Sequence, residues 1–221
     1  MNAETTISRR PLKSRNTRWA GAIAGWLARK GVRPNTISVF SSVCAAVAGG
    51  CLWYAGRVSC DYHWSLLLLA AAVGMQMRLL CNLFDGMVAV EGGFKTPAGE
   101  LFNELPDRFS DGFIFIGMAY ALRGDGWACV LGWSAAVLAV IVAYVRALGA
   151  SMGAGQQFMG PMAKQQRMAL MTATCLIGAL GPVWPMLINA IPLSLGTIVI
   201  GCLVTIVRRC RRIAREVESK C

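Results

Sequence analysis

The stretch WACVLGWSAAVLAVIVAYVRAL, residues Trp127–Leu148, decides the fold class. It holds 22 residues and a single charged side chain, Arg146, close to its end. A helix needs about 20 apolar residues to cross the roughly 30 Å hydrocarbon core of a bilayer. The stretch therefore predicts a transmembrane helix in an integral membrane protein.

The composition of the whole chain points to the same class. Its 221 residues are 56% hydrophobic and 15% charged, with a mean hydropathy of +0.52. Soluble domains carry about 25% charged residues. A disordered chain and a disulfide-stapled secreted module are therefore excluded. The net charge of +11 does not predict a nucleic-acid partner, because basic residues that flank membrane spans have a topological cause.

Six predicted spans follow from the same length criterion: Thr36–Gly56, Trp64–Val90, Asp107–Arg123, Trp127–Leu148, Arg167–Ile188 and Ile191–Val207. Of the 22 lysines and arginines, eight precede the first span and six follow the last, whereas the loops after spans one, three and five hold only Arg57 and Arg123. Positively charged loops stay in the cytoplasm. Both termini, and the loops after spans two and four, are therefore predicted to be cytoplasmic.

A shorter pattern lies between Thr17 and Lys30, before the first span. One face of the helix predicted there is apolar and consists of Trp19, Ile23, Trp26 and Leu27. With basic residues on both sides, this pattern is typical of an amphipathic helix in the headgroup layer; a packed helix of a cytoplasmic cap is the alternative. The predicted organisation is a basic segment with this helix (1–35), a transmembrane catalytic domain (36–207) and a basic cytoplasmic tail (208–221).

Acidic residues concentrate at one end of the predicted bundle. Six of the eleven lie in the 27 positions from Asp85 to Asp111, around the loop between spans two and three. A carboxylate among apolar neighbours in a membrane should face a polar cavity and have a partner. Oxygen donors repeat there at helical spacing, namely Asn82, Asp85, Asn103, Asp107 and Asp111. Oxygen donors on two helices, without histidine or cysteine, favour a hard divalent cation such as Mg²⁺ or Mn²⁺.

The same residues resemble the motif of the CDP-alcohol phosphotransferase family, D-x2-D-G-x2-A-R-x8-G-x3-D-x3-D. Every interval matches, and the matching positions are Asn82, Asp85, Gly86, Ala89, Val90, Gly99, Asn103 and Asp107. Arg33-Pro-Asn-Thr-Ile37 resembles the family's T-P-N-x-(I/L)-T, and Tyr144-x-Arg146 with Lys164-Gln-Gln-Arg167 resembles its later basic stretch. Six spans preceded by a short interfacial helix are also the family's architecture.

Three positions depart from the family motif. Asn82 and Asn103 stand where the motif has its first and third Asp, and Val90 stands where it has Arg. Asp111 is an additional carboxylate one turn beyond Asp107. An amide oxygen still ligates Mg²⁺, but the site loses two negative charges. We therefore expect weaker metal affinity than a site with four carboxylates, unless Asp111 compensates.

The resemblance implies a metal-dependent transfer from a CDP-linked lipid or alcohol donor to an acceptor hydroxyl, with release of CMP. It implies Asp107 as general base, with Asp111 as its substitute or metal-side partner. It implies metal ligands among Asn82, Asp85, Asn103, Asp107 and Asp111, a cytidine site formed by Gly86, Ala89 and Gly99, and phosphate contacts from Arg146, Lys164 and Arg167. It also implies membrane lipids as partners, the bacterial inner membrane as location and a homodimer as a possible assembly.

Some alternatives stay open at the level of sequence. Arg78, one turn before Asn82, is suited either to an acceptor phosphate or to a buried acidic partner. A family member that binds CDP-alcohols and turns them over poorly is one alternative function, and a small cation- or proton-coupled transporter is another. The acidic residues lie at the cytoplasmic end rather than at the midplane, where transporters place such groups, and this favours an enzyme.

The predicted topology can be tested with the chain's own cysteines. Cys210 and Cys221 lie in the basic tail, and Cys60 lies in the loop after span one. A membrane-impermeant maleimide added to intact right-side-out cells should label Cys60 and leave the two tail thiols unlabelled until the cells are permeabilised. Strong labelling of Cys221 in intact cells would contradict the orientation.

Overall fold

The computed structural model describes residues 17–93, 99–122, 124–155, 157 and 159–220, apart from the side chains of Glu100 and Asn103. Seven α-helices follow one another in these residues: α1 (Arg18–Arg29), α2 (Pro34–Ala55), α3 (Asp61–Glu91), α4 (Gly99–Ala119), α5 (Gly126–Ser151), α6 (Lys164–Gly178) and α7 (Ala190–Glu218). A short 3-10 helix, Pro185–Asn189, leads into α7. No strand occurs in these ranges, so the all-α class is confirmed for them.

Four helical segments are long and apolar enough to cross a membrane by length and composition: Pro34–Ala55, Asp61–Glu91, Gly126–Ser151 and Pro185–Glu218. Their outward faces are apolar as well. On α5, for example, Val130, Trp133 and Val137 are each about half exposed. Contiguous apolar faces of this kind are unusual on soluble proteins and mark a contact with an apolar environment. The structure therefore supports an integral membrane protein.

The helices that correspond to spans three and five differ from the expected bounds. The helix α4 begins at Gly99 rather than at Asp107, and it continues through Pro106, whose carbonyl accepts hydrogen bonds from Ser42 and Ser110. The helix α6 begins at Lys164 and ends at Gly178 instead of continuing to Ile188. Gly181, Pro182 and Pro185 follow, and proline cannot continue a regular helix.

The last helix also extends further than its predicted span. The span was expected to end at Val207, but α7 continues to Glu218. The guanidinium of Arg209 is buried there and donates to the carbonyls of Val142 on α5 and of Met159. The first part of the predicted basic tail is therefore a packed helix that contacts the loop between α5 and α6.

The N-terminal helix α1 lies within the range that the sequence pattern predicts. Ala20 and Ala24 are fully buried, and the Trp19 ring meets Phe84 of α3 edge-on, with 6.1 Å between ring centroids. Trp19, Ile23 and Trp26 remain 40–52% exposed. The helix therefore packs its small residues against α3 and leaves large apolar side chains on its outer side.

The helices α2 and α4 approach each other closely. A Cβ added to Gly49 of α2 would lie 2.3 Å from the carbonyl oxygen of Phe113. A Cβ added to Gly117 of α4 would lie 2.4 Å from the carbonyl oxygen of Gly49. Small residues at such contacts let helix backbones approach each other in membrane proteins. This contact fixes α4, which carries Asp107 and Asp111, against α2.

The two adjacent glycines of α2 give a matched test of this contact. Gly49→Ala should lower the thermal midpoint of unfolding in detergent, because the added Cβ forces the backbones of α2 and α4 apart. Overpacking of this kind typically lowers the free energy of unfolding by about 1–3 kcal/mol. Gly50→Ala should leave the midpoint unchanged or raise it, since a Cβ at Gly50 meets nothing within 4 Å and alanine favours helix. Equal midpoints for the two variants would contradict the close approach of α2 and α4.

Candidate functional site

Four helices of an otherwise apolar bundle bring polar side chains together. The buried members are Ser38 and Ser41 on α2, Arg78 and Asp85 on α3, Asp107 and Asp111 on α4, and Arg167 on α6. Buried charges persist in proteins only when they are paired and hydrogen-bonded. The pairing within this cluster therefore defines what each group can do.

Asp111 has both carboxylate oxygens engaged. Its Oδ1 lies 2.8 Å from Nη2 of Arg78 on α3, and its Oδ2 lies 2.6 Å from Nη2 of Arg167 on α6. All three side chains are at most 2% exposed. Arg167 also donates to the carbonyl of Met162, at 2.8 Å. Asp111 thus joins three helices, and each of its oxygens already accepts a hydrogen bond from a buried guanidinium.

Asp107 lies one turn earlier on α4 and is bound less completely. Its Oδ2 forms an ion pair with Nζ of Lys164, the first residue of α6. Its Oδ1 has only a longer approach, 3.5 Å, to Nη2 of Arg78. The Lys164 side chain is 25% exposed and that of Asp107 is 9% exposed. Of the two aspartates of α4, Asp107 is therefore the one that a bound molecule can reach more easily.

Asp85 and Asn82 of α3 face two serines of α2. Ser38 donates a 2.8 Å hydrogen bond to Oδ2 of Asp85, and Ser41 donates a 3.3 Å hydrogen bond to Oδ1 of Asn82. Oδ1 of Asp85 and Nδ2 of Asn82 are buried without a hydrogen-bond partner. Buried polar atoms are nearly always paired. The unpaired carboxylate oxygen is therefore available to bind a cation or to accept a hydrogen bond.

A second group of ion pairs lies at Glu104. Its Oε2 is 2.5 Å from Nη2 of Arg146 on α5 and 3.2 Å from Nη2 of Arg108. Arg146 is thus held by a carboxylate of α4, as Lys164 and Arg167 are.

Most of the predicted site residues come together in this cluster. Lys164 and Arg167, which the resemblance implies as phosphate contacts, each pair with an aspartate of α4. Gly86 and Ala89 are half-buried on α3 beyond Asp85, and Gly99 is the half-buried first residue of α4. The side chain of Asn103 lies outside the described part of the chain.

The sequence pattern did not identify Ser38 and Ser41. Their spacing of three residues on an apolar helix, directly after Arg-Pro-Asn-Thr-Ile, was the signal that could have indicated a polar face toward α3. Arg78 had two alternatives, an acceptor phosphate or a buried acidic partner. Its contacts with Asp111 and Asp107 in the structure favour the second.

The ion pairs of Asp111 with Arg78 and Arg167 predict a loss of stability when the charge of Asp111 is removed. Asp111→Asn leaves two buried guanidiniums without their carboxylate, a change that typically costs about 3–5 kcal/mol. The thermal midpoint in detergent should fall strongly. Glu104→Gln is the control, because its pairs are partly exposed and such pairs contribute roughly 1 kcal/mol or less. A similar small shift of the thermal midpoint for both variants would contradict the stabilising role of the Asp111 ion pairs.

Two relatives of known function are similar to this chain in sequence. The chain is 26% identical to the phosphatidylinositol phosphate synthase of Streptomyces avermitilis over 204 residues, 90% of this chain and 80% of the relative. It is 22% identical to the enzyme of that name from Mycobacteroides abscessus over 198 residues, 85% of this chain and 80% of the relative. No family model matches the chain.

Solved structures of the Mycobacterium tuberculosis phosphatidylinositol phosphate synthase PgsA1 have the same fold. The structure with CDP-DAG bound matches with a TM-score of 0.74 at 20% identity, over 89% of this chain and 94% of the other. The structure in complex with manganese and citrate matches with a TM-score of 0.73, over 88% of both chains. These findings confirm the resemblance to the CDP-alcohol phosphotransferase family: this chain has homologues that are phosphatidylinositol phosphate synthases, which belong to that family.

Proposed function

We propose that this protein is a membrane phosphatidyltransferase of phospholipid synthesis. It transfers the phosphatidyl group of CDP-diacylglycerol to the hydroxyl of an acceptor alcohol and releases CMP. The observation that carries the proposal is the pair of buried carboxylates, Asp85 on α3 and Asp107 on α4, at the intervals of the family motif, with one Asp85 oxygen unpaired. Homologues that are phosphatidylinositol phosphate synthases support the same chemistry.

The donor atoms of the cluster fit Mg²⁺ or Mn²⁺. Carboxylate and amide oxygens are the ligands these ions prefer. Asp85 would hold the ion through its unpaired Oδ1 and Asn82 through its amide oxygen, and the motif adds Asn103 and Asp107. The described residues contain no group of three or more His, Cys, Asp or Glu suited to a metal, and the proposed ligand set accordingly includes amides. An ion held there would neutralise charge on the donor diphosphate.

Asp107 is the residue we assign as general base. Its Oδ1 has only the 3.5 Å approach of Arg78 Nη2, whereas the two oxygens of Asp111 lie 2.8 and 2.6 Å from guanidinium nitrogens. The acceptor oxygen attacks the phosphorus that carries the lipid, the bond from that phosphorus to CMP breaks, and the hydroxyl proton passes to Asp107. We therefore assign Asp111 to holding α4 in place rather than to the metal or the base.

The cationic residues divide by accessibility. The side chains of Lys164 and Arg146 are 25% and 21% exposed, so both remain able to contact a phosphate of donor or acceptor. Arg167 is 1% exposed and is bound by Asp111 and by the Met162 carbonyl. Gly86, Ala89 and Gly99 stay our assignment for the floor of the cytidine site, because they lie beyond Asp85 and at the start of α4.

The proposed membrane arrangement has six crossings, α2 to α7, with α1 in the headgroup layer. The exposed Trp19, Ile23 and Trp26 of α1 support its interfacial position. The lysine and arginine distribution supports cytoplasmic termini and a cytoplasmic active site in the bacterial inner membrane. The domain bounds at residues 35 and 207 and a homodimeric assembly are parts of the same proposal.

Release of CMP tests the function directly. Purified protein with Mg²⁺ or Mn²⁺ and CDP-diacylglycerol should release CMP when the right acceptor is present among inositol phosphate, glycerol phosphate and unphosphorylated polyols. EDTA should abolish the release, and added Mn²⁺ should restore it. A transporter would release no CMP from any CDP-linked donor, and a CDP-alcohol-binding protein without turnover would bind the donor and release none.

Substitution of Asp107 tests the assignment of the base. Asp107→Asn should lower the rate of CMP release by about 10²- to 10⁴-fold, since an amide cannot accept the hydroxyl proton. Donor binding should survive in part. Asp61→Asn, at the exposed opposite end of α3, is the matched control and should keep the full rate. A near-normal rate for Asp107→Asn would remove this residue from the chemistry.

A further inference from the structure

Six charged side chains of the cluster described above carry as many positive as negative charges. Three carboxylates, those of Asp85, Asp107 and Asp111, lie with three cationic side chains, those of Arg78, Lys164 and Arg167. The formal charge of this described cluster is therefore zero. The motif that the chain resembles would add two carboxylates at positions 82 and 103, where this chain has asparagine.

Both oxygens of Asp107 already face cations. Lys164 Nζ contacts Oδ2, and Arg78 Nη2 lies 3.5 Å from Oδ1. An ammonium is a compact point charge with three donors, so it can hold a carboxylate and a phosphate oxygen together. A metal ion that bound Oδ2 of Asp107 would have to displace Lys164 from an ion pair inside the bundle.

Asp85 is the aspartate of the described cluster that forms no ion pair. It is 3% exposed, its Oδ2 accepts a hydrogen bond from the neutral hydroxyl of Ser38, and its Oδ1 has no hydrogen-bond partner. The neighbouring Nδ2 of Asn82 is also unpaired. Asp107 is thus already paired with a cationic side chain, whereas Asp85 is not.

The charge of the donor fits one divalent ion. A neutral cluster with one such ion has a charge of about +2, which matches the two negative charges of a diphosphate diester. A second ion would leave excess positive charge inside an apolar bundle. We propose, on the basis of the transferase function above, that Lys164 is a built-in cation beside Asp107, in place of a second metal, and that the site binds a single divalent ion at Asp85.

Counting bound manganese tests this proposal without relying on activity. Purified protein in detergent is titrated with Mn²⁺, and free Mn²⁺ is followed by its electron paramagnetic resonance signal. The wild-type chain should bind one Mn²⁺. Lys164→Gln should bind Mn²⁺ at least about tenfold more tightly, since a like charge near the ion is removed. Lys164→Arg, which keeps the charge, should stay within about threefold of wild type.

Arg108→Gln is the matched control for the loss of one positive charge. Arg108 pairs with Glu104 and not with Asp107, so this variant should also stay within about threefold of wild type. Two tightly bound Mn²⁺ per wild-type chain would overturn the proposal, whatever the variants do. So would a Lys164→Gln variant that binds no more tightly than Arg108→Gln.

CMP release measured on the same samples separates this proposal from the proposed function. One Mn²⁺ per chain, with tighter binding by Lys164→Gln, supports the built-in cation even when no CMP is released, and the transferase function is then what fails. CMP release with two Mn²⁺ bound overturns the built-in cation and leaves the transferase function standing.

Discussion

Two buried guanidiniums, from α3 and α6, hold the carboxylate of Asp111 on α4, and the rest of the site depends on this contact. Arg78 and Arg167 approach its two oxygens at 2.8 and 2.6 Å, and all three side chains are almost completely buried. A charge in an apolar interior is tolerated only with a partner of opposite sign. Each member of this triad therefore requires the other two, and α3, α4 and α6 cannot slide independently.

The triad also fixes how deep Asp107 lies in the bundle. Asp107 lies one turn from Asp111 on α4, so a fixed Asp111 fixes the position of Asp107 relative to Asp85 on α3. The close approach of Gly49 and Gly117 holds α4 against α2 in the same way, and α2 supplies the serine that bonds to Asp85. Packing and ion pairing thus both hold α4, and together they bring Asp107 into the same cluster as Asp85.

Asparagine at positions 82 and 103 changes the electrostatics of the motif more than its geometry. An amide keeps an oxygen donor at each position but supplies no charge. The described cluster carries as many cationic as anionic side chains, and its unpaired carboxylate oxygen belongs to Asp85. A site of this kind favours a ligand that brings its own negative charge together with a divalent ion, as a nucleoside diphosphate lipid does.

The sequence by itself determined the membrane class, the helical fold and the place of the acidic site. Hydropathy and helical spacing are local properties, so residues 127–148 and the intervals from Asn82 to Asp107 could be interpreted without neighbours. The end of α6 was harder to predict from the sequence, because the helix ends at Gly178 within an apolar stretch, where glycines and prolines follow. The motif interval already implied Asp107 as the base, with Asp111 as its substitute or metal-side partner. Only the tertiary structure decided which cations pair with each of them, because ion pairing between helices depends on their rotation and crossing, which no spacing along one helix specifies.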